Sequence, residues 1–133
     1  RLSGSEIAWI SQKGRDISSD VPTPAFYDGD FFVLSDVRRA LSCVEPKSGE
    51  IKWTMQTPGR DKYEASPLAT DGKLYLMNFN SDVVVVDAKN GKVLNQVAMG
   101  DEGEAHSRAT IAASEGHLFI RTNKKLYCVG DRN

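Results

Sequence analysis

Two copies of one tripeptide, Gly14-Arg15-Asp16 and Gly59-Arg60-Asp61, stand 45 residues apart, and a later stretch from Gly103 carries His106 and Arg108. Arginine presents a planar fork of donors that matches a carboxylate in bidentate fashion. Arg15, Arg60, His106 and Arg108 gathered on one surface would therefore form a basic arc for carboxylates or a peptide segment. The adjoining aspartates also allow a plainer arrangement, Arg–Asp pairs on a solvated rim. Asp28, Asp71 and Glu115 form a second recurring set. Each precedes a glycine, which assigns them to turn conformation rather than to metal or acid–base work. His106 and His117 fall in different loops, so a shared metal site is not expected, and no Ser-His-Asp spacing stands out. Gly100-Asp101-Glu102-Gly103 is acidic and precedes no helix, the opposite of a phosphate cradle. No catalytic, cofactor-binding or metal-ligating residue is expected in this segment.

The elements that must position the arc are read from length, charge and repetition. At 133 residues the chain has the size of one domain. Seventeen Lys and Arg against eighteen Asp and Glu leave a net charge of −1, with no basic excess to favour nucleic acid or an anionic membrane surface. The longest aliphatic run, Val83 to Val86, falls far short of a transmembrane segment. The first residue is Arg1, with no signal-peptide pattern after it, and the chain reads as a processed or excised piece. Cys43 and Cys128 are 85 residues apart, too far to form a short metal knuckle.

The same acidic-Gly pair, Asp28-Gly29, Asp71-Gly72 and Glu115-Gly116, recurs at intervals of 43 and 44 residues. Each pair leads into an apolar run: Phe31 to Leu34, Leu74 to Met77 and Leu118 to Ile120. Acidic-Gly between β-rich runs is a hairpin signal, because a type I′ turn requires positive φ. A short segment precedes each turn, at Thr23 to Phe26, Ser66 to Ala69 and Thr110 to Ala113, and the prolines there suit an edge strand. Third strands follow at Ala40 to Glu45, Asp82 to Asp87 and Lys125 to Gly130, with fourth strands at Glu50 to Thr57 and Lys92 to Met99. Four short strands repeating every ~43 residues without helical periodicity predict an all-β partial β-propeller of about three four-stranded antiparallel blades. The divisions are residues 1–13 as the fourth strand of a preceding blade, 14–57 and 58–101 as blades, and 102–133 as an incomplete final blade. Propellers usually hold ~4 to 8 blades. The remaining blades are therefore expected either in a longer parent chain or in a second copy, and the exposed blade faces should favour self-association.

Leu41-Ser42-Cys43-Val44-Glu45, followed by Gly49 and Trp53, resembles the PQQ-like, quinoprotein-type β-propeller repeat, in which an acidic residue, a Gly turn and a Trp recur in each blade. The second repeat keeps Asp87 and Gly91 but carries Asn95 in place of the Trp, and the third keeps only its strand, with Gly130 in the acidic position. The resemblance implies that Trp9 and Trp53 pack between blades. It also implies two classes of function. Some members are dehydrogenases that hold PQQ and calcium beneath a vicinal disulfide; others are non-catalytic, among them a propeller lipoprotein of the outer-membrane barrel assembly machinery.

Cys43 and Cys128 occupy equivalent strands of non-adjacent blades, and the expectation is two buried free thiols. The reading is a protein-binding or scaffolding segment with a protein or peptide partner, no nucleic acid and no cofactor of its own. The alternative is part of a PQQ-dependent dehydrogenase, with PQQ and calcium held by blades outside this chain. A periplasmic or otherwise extracytoplasmic location follows from the resemblance alone. Arg15, Arg60, His106 and Arg108 lie in the loops that enter each blade, the rim where propellers usually bind.

Overall fold

The computed structural model describes residues 6–11 and 17–130. Two four-stranded sheets and one three-stranded sheet follow one another along the chain, each an antiparallel meander. The first holds β1 (Ala25–Tyr27), β2 (Asp30–Ser35), β3 (Ala40–Val44) and β4 (Ile51–Gln56). The second holds β5 (Leu68–Thr70), β6 (Lys73–Met77), β7 (Asp82–Asp87) and β8 (Val93–Ala98), and the third β9 (Ala112–Ser114), β10 (His117–Arg121) and β11 (Leu126–Val129). This is a partial β-propeller. The innermost strands β1, β5 and β9 stand side by side, so the sheets fan outward from them.

Local chemistry explains the repetition. Asp28, Asp71 and Glu115 have φ of 48°, 49° and 49°, and the glycines after them are positive too, the conformation a two-residue type I′ hairpin demands. Pro24 and Pro67 precede their strands rather than lying within them, where a missing N–H costs no ladder bond. The acid that ends each complete third strand also builds the next turn: Glu45 Oε2 accepts from the Ser48 amide at 2.6 Å, and Asp87 Oδ1 from the Lys89 amide at 2.7 Å. A register shift falls at the same place in both sheets, between Cys43 and Val44 and between Val85 and Val86.

Trp53 on β4, and Trp9 in the segment ahead of the first sheet, each lie on the turn glycine of the blade that follows. A Cβ added to Gly91 would meet the Trp53 ring at 2.8 Å, and one added to Gly49 would meet the Trp9 ring at 2.6 Å. Trp9 is further tied by its indole N–H, which donates to the Pro46 carbonyl at 2.7 Å. Two buried seams result. Between the first and second sheets, Phe32, Leu34, Leu41, Cys43, Tyr63 and Leu76 anchor a core that also takes in Leu74, Val84, Val86 and Ala88. Between the second and third, the buried set is Ala65, Met77, Val83, Ile111 and Ile120.

One expectation is corrected: Cys43 is buried as a free thiol, whereas Cys128 is exposed. The two share a strand position. Cys43 is covered because β4 lies beside β3 and the second sheet packs over it, while β11 has only β10 for a neighbour among the described residues.

Candidate functional site

Antiparallel alternation sends the β1–β2 and β3–β4 turns to one face, and the β2–β3 turns and interblade loops to the other. On the second face a buried asparagine shapes the central turn. Asn78 Oδ1 accepts from the amides of Asn80 at 3.0 Å and Asp82 at 2.9 Å, and its Nδ2 donates to Asp82 Oδ2 at 2.9 Å. With the turn closed in this way, Phe79 sits between two incoming loops. Its amide donates to the Lys62 carbonyl at 2.9 Å, and its carbonyl accepts from the Ser107 amide at 2.9 Å.

His106 and Arg108 converge on Phe79. The His106 ring lies 5.2 Å from it, tilted by 58°, and the Arg108 guanidinium carbon stands 5.2 Å from the Phe79 centroid. Arg108 Nε donates to Glu64 Oε2 at 2.6 Å. Glu64 has a side chain only 10% exposed against 59% for Arg108, so the acid anchors the base from below. His106 adopts φ of 64°, a left-handed conformation uncommon for a residue with a side chain.

The loop that carries both residues is fastened to the third sheet. Thr122 donates to Glu104 Oε1 at 3.2 Å, Asn123 Nδ2 to the Ala105 carbonyl at 2.6 Å, and Lys125 Nζ to Asp101 Oδ1 at 2.7 Å. The Lys125 hydrogen bond holds the Asp101 carboxyl below its ordinary value, and the same bond raises the Lys125 ammonium.

Arg60 stands on the other incoming loop with its side chain exposed, and its carbonyl accepts from Arg39 Nη1 at 3.4 Å. Its neighbour Asp61 accepts from Asn80 Nδ2 at 2.7 Å, which links that loop to the residue next to Phe79. Arg15, with the rest of Gly14-Arg15-Asp16, lies outside the described residues. The structure thus joins His106 and Arg108 through Phe79, an aromatic that the sequence reading did not single out. A legible signal was present: Phe79 is flanked by Asn78 and Asn80, so a large ring falls within a polar turn.

The opposite face holds a cleft of about 470 Å³ between the first two sheets, lined by residues that include Asp28, Asp30, Cys43, Lys52 and Lys89. Lys52 pairs with Asp30 at 2.6 Å. Burial, reinforced by Asp30, pushes the Cys43 thiol up to about 11, which keeps it protonated and unreactive at neutral pH. His117 lies on this face too, its Nδ1 2.9 Å from the Glu115 carbonyl, well separated from His106. Among the described residues no group of three His, Cys, Asp or Glu could hold a metal ion.

Residues 2–129 match the family model described as outer membrane protein assembly factor BamB. No curated protein matches the chain. Among solved structures, BamB from Moraxella catarrhalis is similar at 12% identity and a TM-score of 0.65, over 77% of this chain and 31% of that one. The quinohemoprotein alcohol dehydrogenase from Comamonas testosteroni is similar at 18% identity and a TM-score of 0.64, over 79% of this chain and 17% of that one. Quinohemoprotein alcohol dehydrogenase ADHIIG from Pseudomonas putida HK5 gives 17% identity and a TM-score of 0.66, over 82% and 18%. This chain spans less than a third of the length of each of these proteins. At such identities the likeness is one of fold.

Proposed function

The chain belongs to the PQQ-like β-propeller family described as outer membrane protein assembly factor BamB, and from that premise we propose that it is a non-catalytic protein-binding or scaffolding module that works through its loop face. The observation that carries the reading is the Phe79 cluster. Recognition of protein segments is concentrated in a few aromatic and arginine side chains held in place before binding. Phe79 is pinned by backbone bonds to two neighbouring loops, and Arg108 is held through Nε by Glu64. That arrangement leaves the outer nitrogens of Arg108 for a carboxylate and the Phe79 ring for an apolar or aromatic side chain. Arg60 and His106 extend the basic arc, and Arg15 is assigned to the same arc from its repeated tripeptide. The partner is then a protein or peptide segment combining acidic and apolar residues. An extracytoplasmic, periplasmic location accords with the outer-membrane assembly role named in the family description.

A display library of acidic-aromatic peptides selected against the purified protein tests this reading. Binding should weaken about tenfold or more in Phe79→Ala and in Arg108→Ala. Peptides that bind both variants as well as the parent would overturn it.

The fold likeness to quinohemoprotein alcohol dehydrogenases supports a second reading, a segment of a PQQ-dependent enzyme. Among the described residues no group of three His, Cys, Asp or Glu could hold a metal ion, and Cys43 and Cys128 lie in different sheets rather than side by side. Under this reading PQQ and calcium fall to other blades, and dye reduction by the protein reconstituted with both would be its signature.

A further inference from the structure

The cleft of about 470 Å³ on the face opposite the Phe79 cluster lies between two neighbouring sheets whose strands are all described. One wall comes from the first sheet, and the other from the turns of the second at Gly72, Ala88 and Lys89. Its volume falls within the ~300 to 1,000 Å³ of small-molecule sites, which set a few polar groups over an apolar base. Phe32 and Ala88 supply that base.

Three features place polar groups in the cleft. The first is the bulge in β4. With Cys43 opposite Trp53 and Val44 opposite Ile51, Lys52 is the extra residue, and it lines the cleft. There Lys52 Nζ meets both oxygens of Asp30, at 2.6 and 2.8 Å, so that pair neutralises itself. The second is the Tyr27 hydroxyl. It accepts from the Gly72 amide at 2.9 Å, which leaves its own proton without an acceptor among the described residues. The third is the separation of Asp28 on one wall from Lys89 on the other, both exposed and neither in an ion pair among the described residues. The backbone fixes each of them: Asp28 by its φ of 48° in the hairpin, and Lys89 by the bond from its amide to Asp87 Oδ1 at 2.7 Å. Opposite charges are thus held across a gap rather than closed on one another.

The second sheet repeats the bulge and the turn without this chemistry. Leu94 takes the place of Lys52, and Lys73 takes that of Asp30 and pairs with Asp71 at 3.1 Å. The polar set is therefore a property of the first seam and not of the repeat.

We propose that this cleft binds a small zwitterion of the free α-amino acid class, its carboxylate between the Lys89 ammonium and the Tyr27 hydroxyl and its ammonium on Asp28. The two lysines and two aspartates of the cleft sum to zero charge, as does such a ligand. A ligand with a carboxylate alone leaves Asp28 unpaired, and one with an ammonium alone leaves Lys89 unpaired. Asp30 does not compete for the ammonium, because Lys52 takes both of its oxygens. A compact apolar side chain would lie toward Phe32 and Ala88. The inference does not rest on the loop-face reading, which concerns another surface.

Calorimetric titration of the 133-residue chain with the common amino acids, each beside its N-acetyl and its amide form, tests it. The expected result is saturable binding of at least one free amino acid with Kd of about 1 mM or below, weakened about tenfold or more when either end is blocked. Asn tolerates the left-handed turn, and Lys89 is an exposed turn residue, so Asp28→Asn and Lys89→Ala should both keep the parent's circular dichroism. Each should weaken binding about tenfold, Asp28→Asn abolishing the discrimination against the N-acetyl form and Lys89→Ala that against the amide. Asp71→Asn, at the matching turn of the second sheet, should leave binding unchanged. Absence of saturable binding by any free amino acid up to about 10 mM overturns the inference. So does binding that the blocked ends, or Asp28→Asn and Lys89→Ala, leave as strong as before.

Discussion

The two seams are built from the same repeat and end up unlike. Between the first and second sheets, Trp53 closes over Gly91, ten residues form the buried cluster, and β4 alternates between half-buried and exposed positions. Between the second and third, Asn95 stands where the Trp would be, five residues form the cluster, and every position of β8 is exposed. The inner strands and turns are equivalent in both. Among the described residues an outer fourth strand and its turn cover the first seam and not the second, and at the first seam the Trp–Gly contact closes the interblade core from outside.

The contrast can be broken by substitution. The largest effect should come from Leu76→Ala, which empties a fully buried position of the first seam and should cost about 4 kcal/mol in denaturant unfolding. Ile120→Ala in the smaller cluster should cost about 2 kcal/mol, because its surroundings can relax toward solvent. Equal costs would mean that the seams are energetically alike. Gly91→Ala adds a methyl at 2.8 Å from the Trp53 ring to the strain of φ at 73°, and should cost about 2 kcal/mol. Gly116→Ala meets only the strain, since nothing lies within 4 Å of the added Cβ, and should cost about 1 kcal/mol.

Alkaline pH should act on the first seam selectively. Burial raises Cys43 from 9.0 to about 11 and Tyr63 from 10.0 to about 12. Both groups are neutral in the fold at pH 8, and the unfolded chain ionises first as pH rises. Stability should therefore be level up to about pH 9 and decline above it, and Cys43→Ala should remove the earliest part of that decline. The smallest effect is expected of Asn95→Trp. Among the described residues the ring would have no turn glycine to cover, so the unfolding free energy should change by less than about 0.5 kcal/mol. A larger stabilisation would show that the second seam accepts a tryptophan without a fourth strand.

Much of the fold was legible because its signals are local. Positive φ at Asp28-Gly29 and its two counterparts is a demand of the turn itself, and the acid that closes a third strand reaches only three residues to cap the next turn. The strand ends were less legible. Prolines predicted inside the first strands stand just before them, since the missing N–H excludes them from the ladder rather than merely confining them to an edge. Cys128 differs from its buried expectation for a reason no local pattern carries: burial of a third strand depends on what lies beyond it.

The candidate site divides along the same line. Arg60, His106 and Arg108 were visible as charged residues recurring in interblade loops, and their face of the molecule followed from counting strands. Phe79 and Glu64 were not, because they belong to another turn and another loop and meet Arg108 only when neighbouring blades are stacked. By itself the amino-acid order determined the repeat and the turn types, both set by interactions within one or two repeats. The tertiary structure alone decided which side chains converge on Phe79, which thiol is covered and which seam is complete. The physical reason is that burial and side-chain convergence depend on the packing of whole sheets, whose contacting residues lie some forty positions apart in the chain.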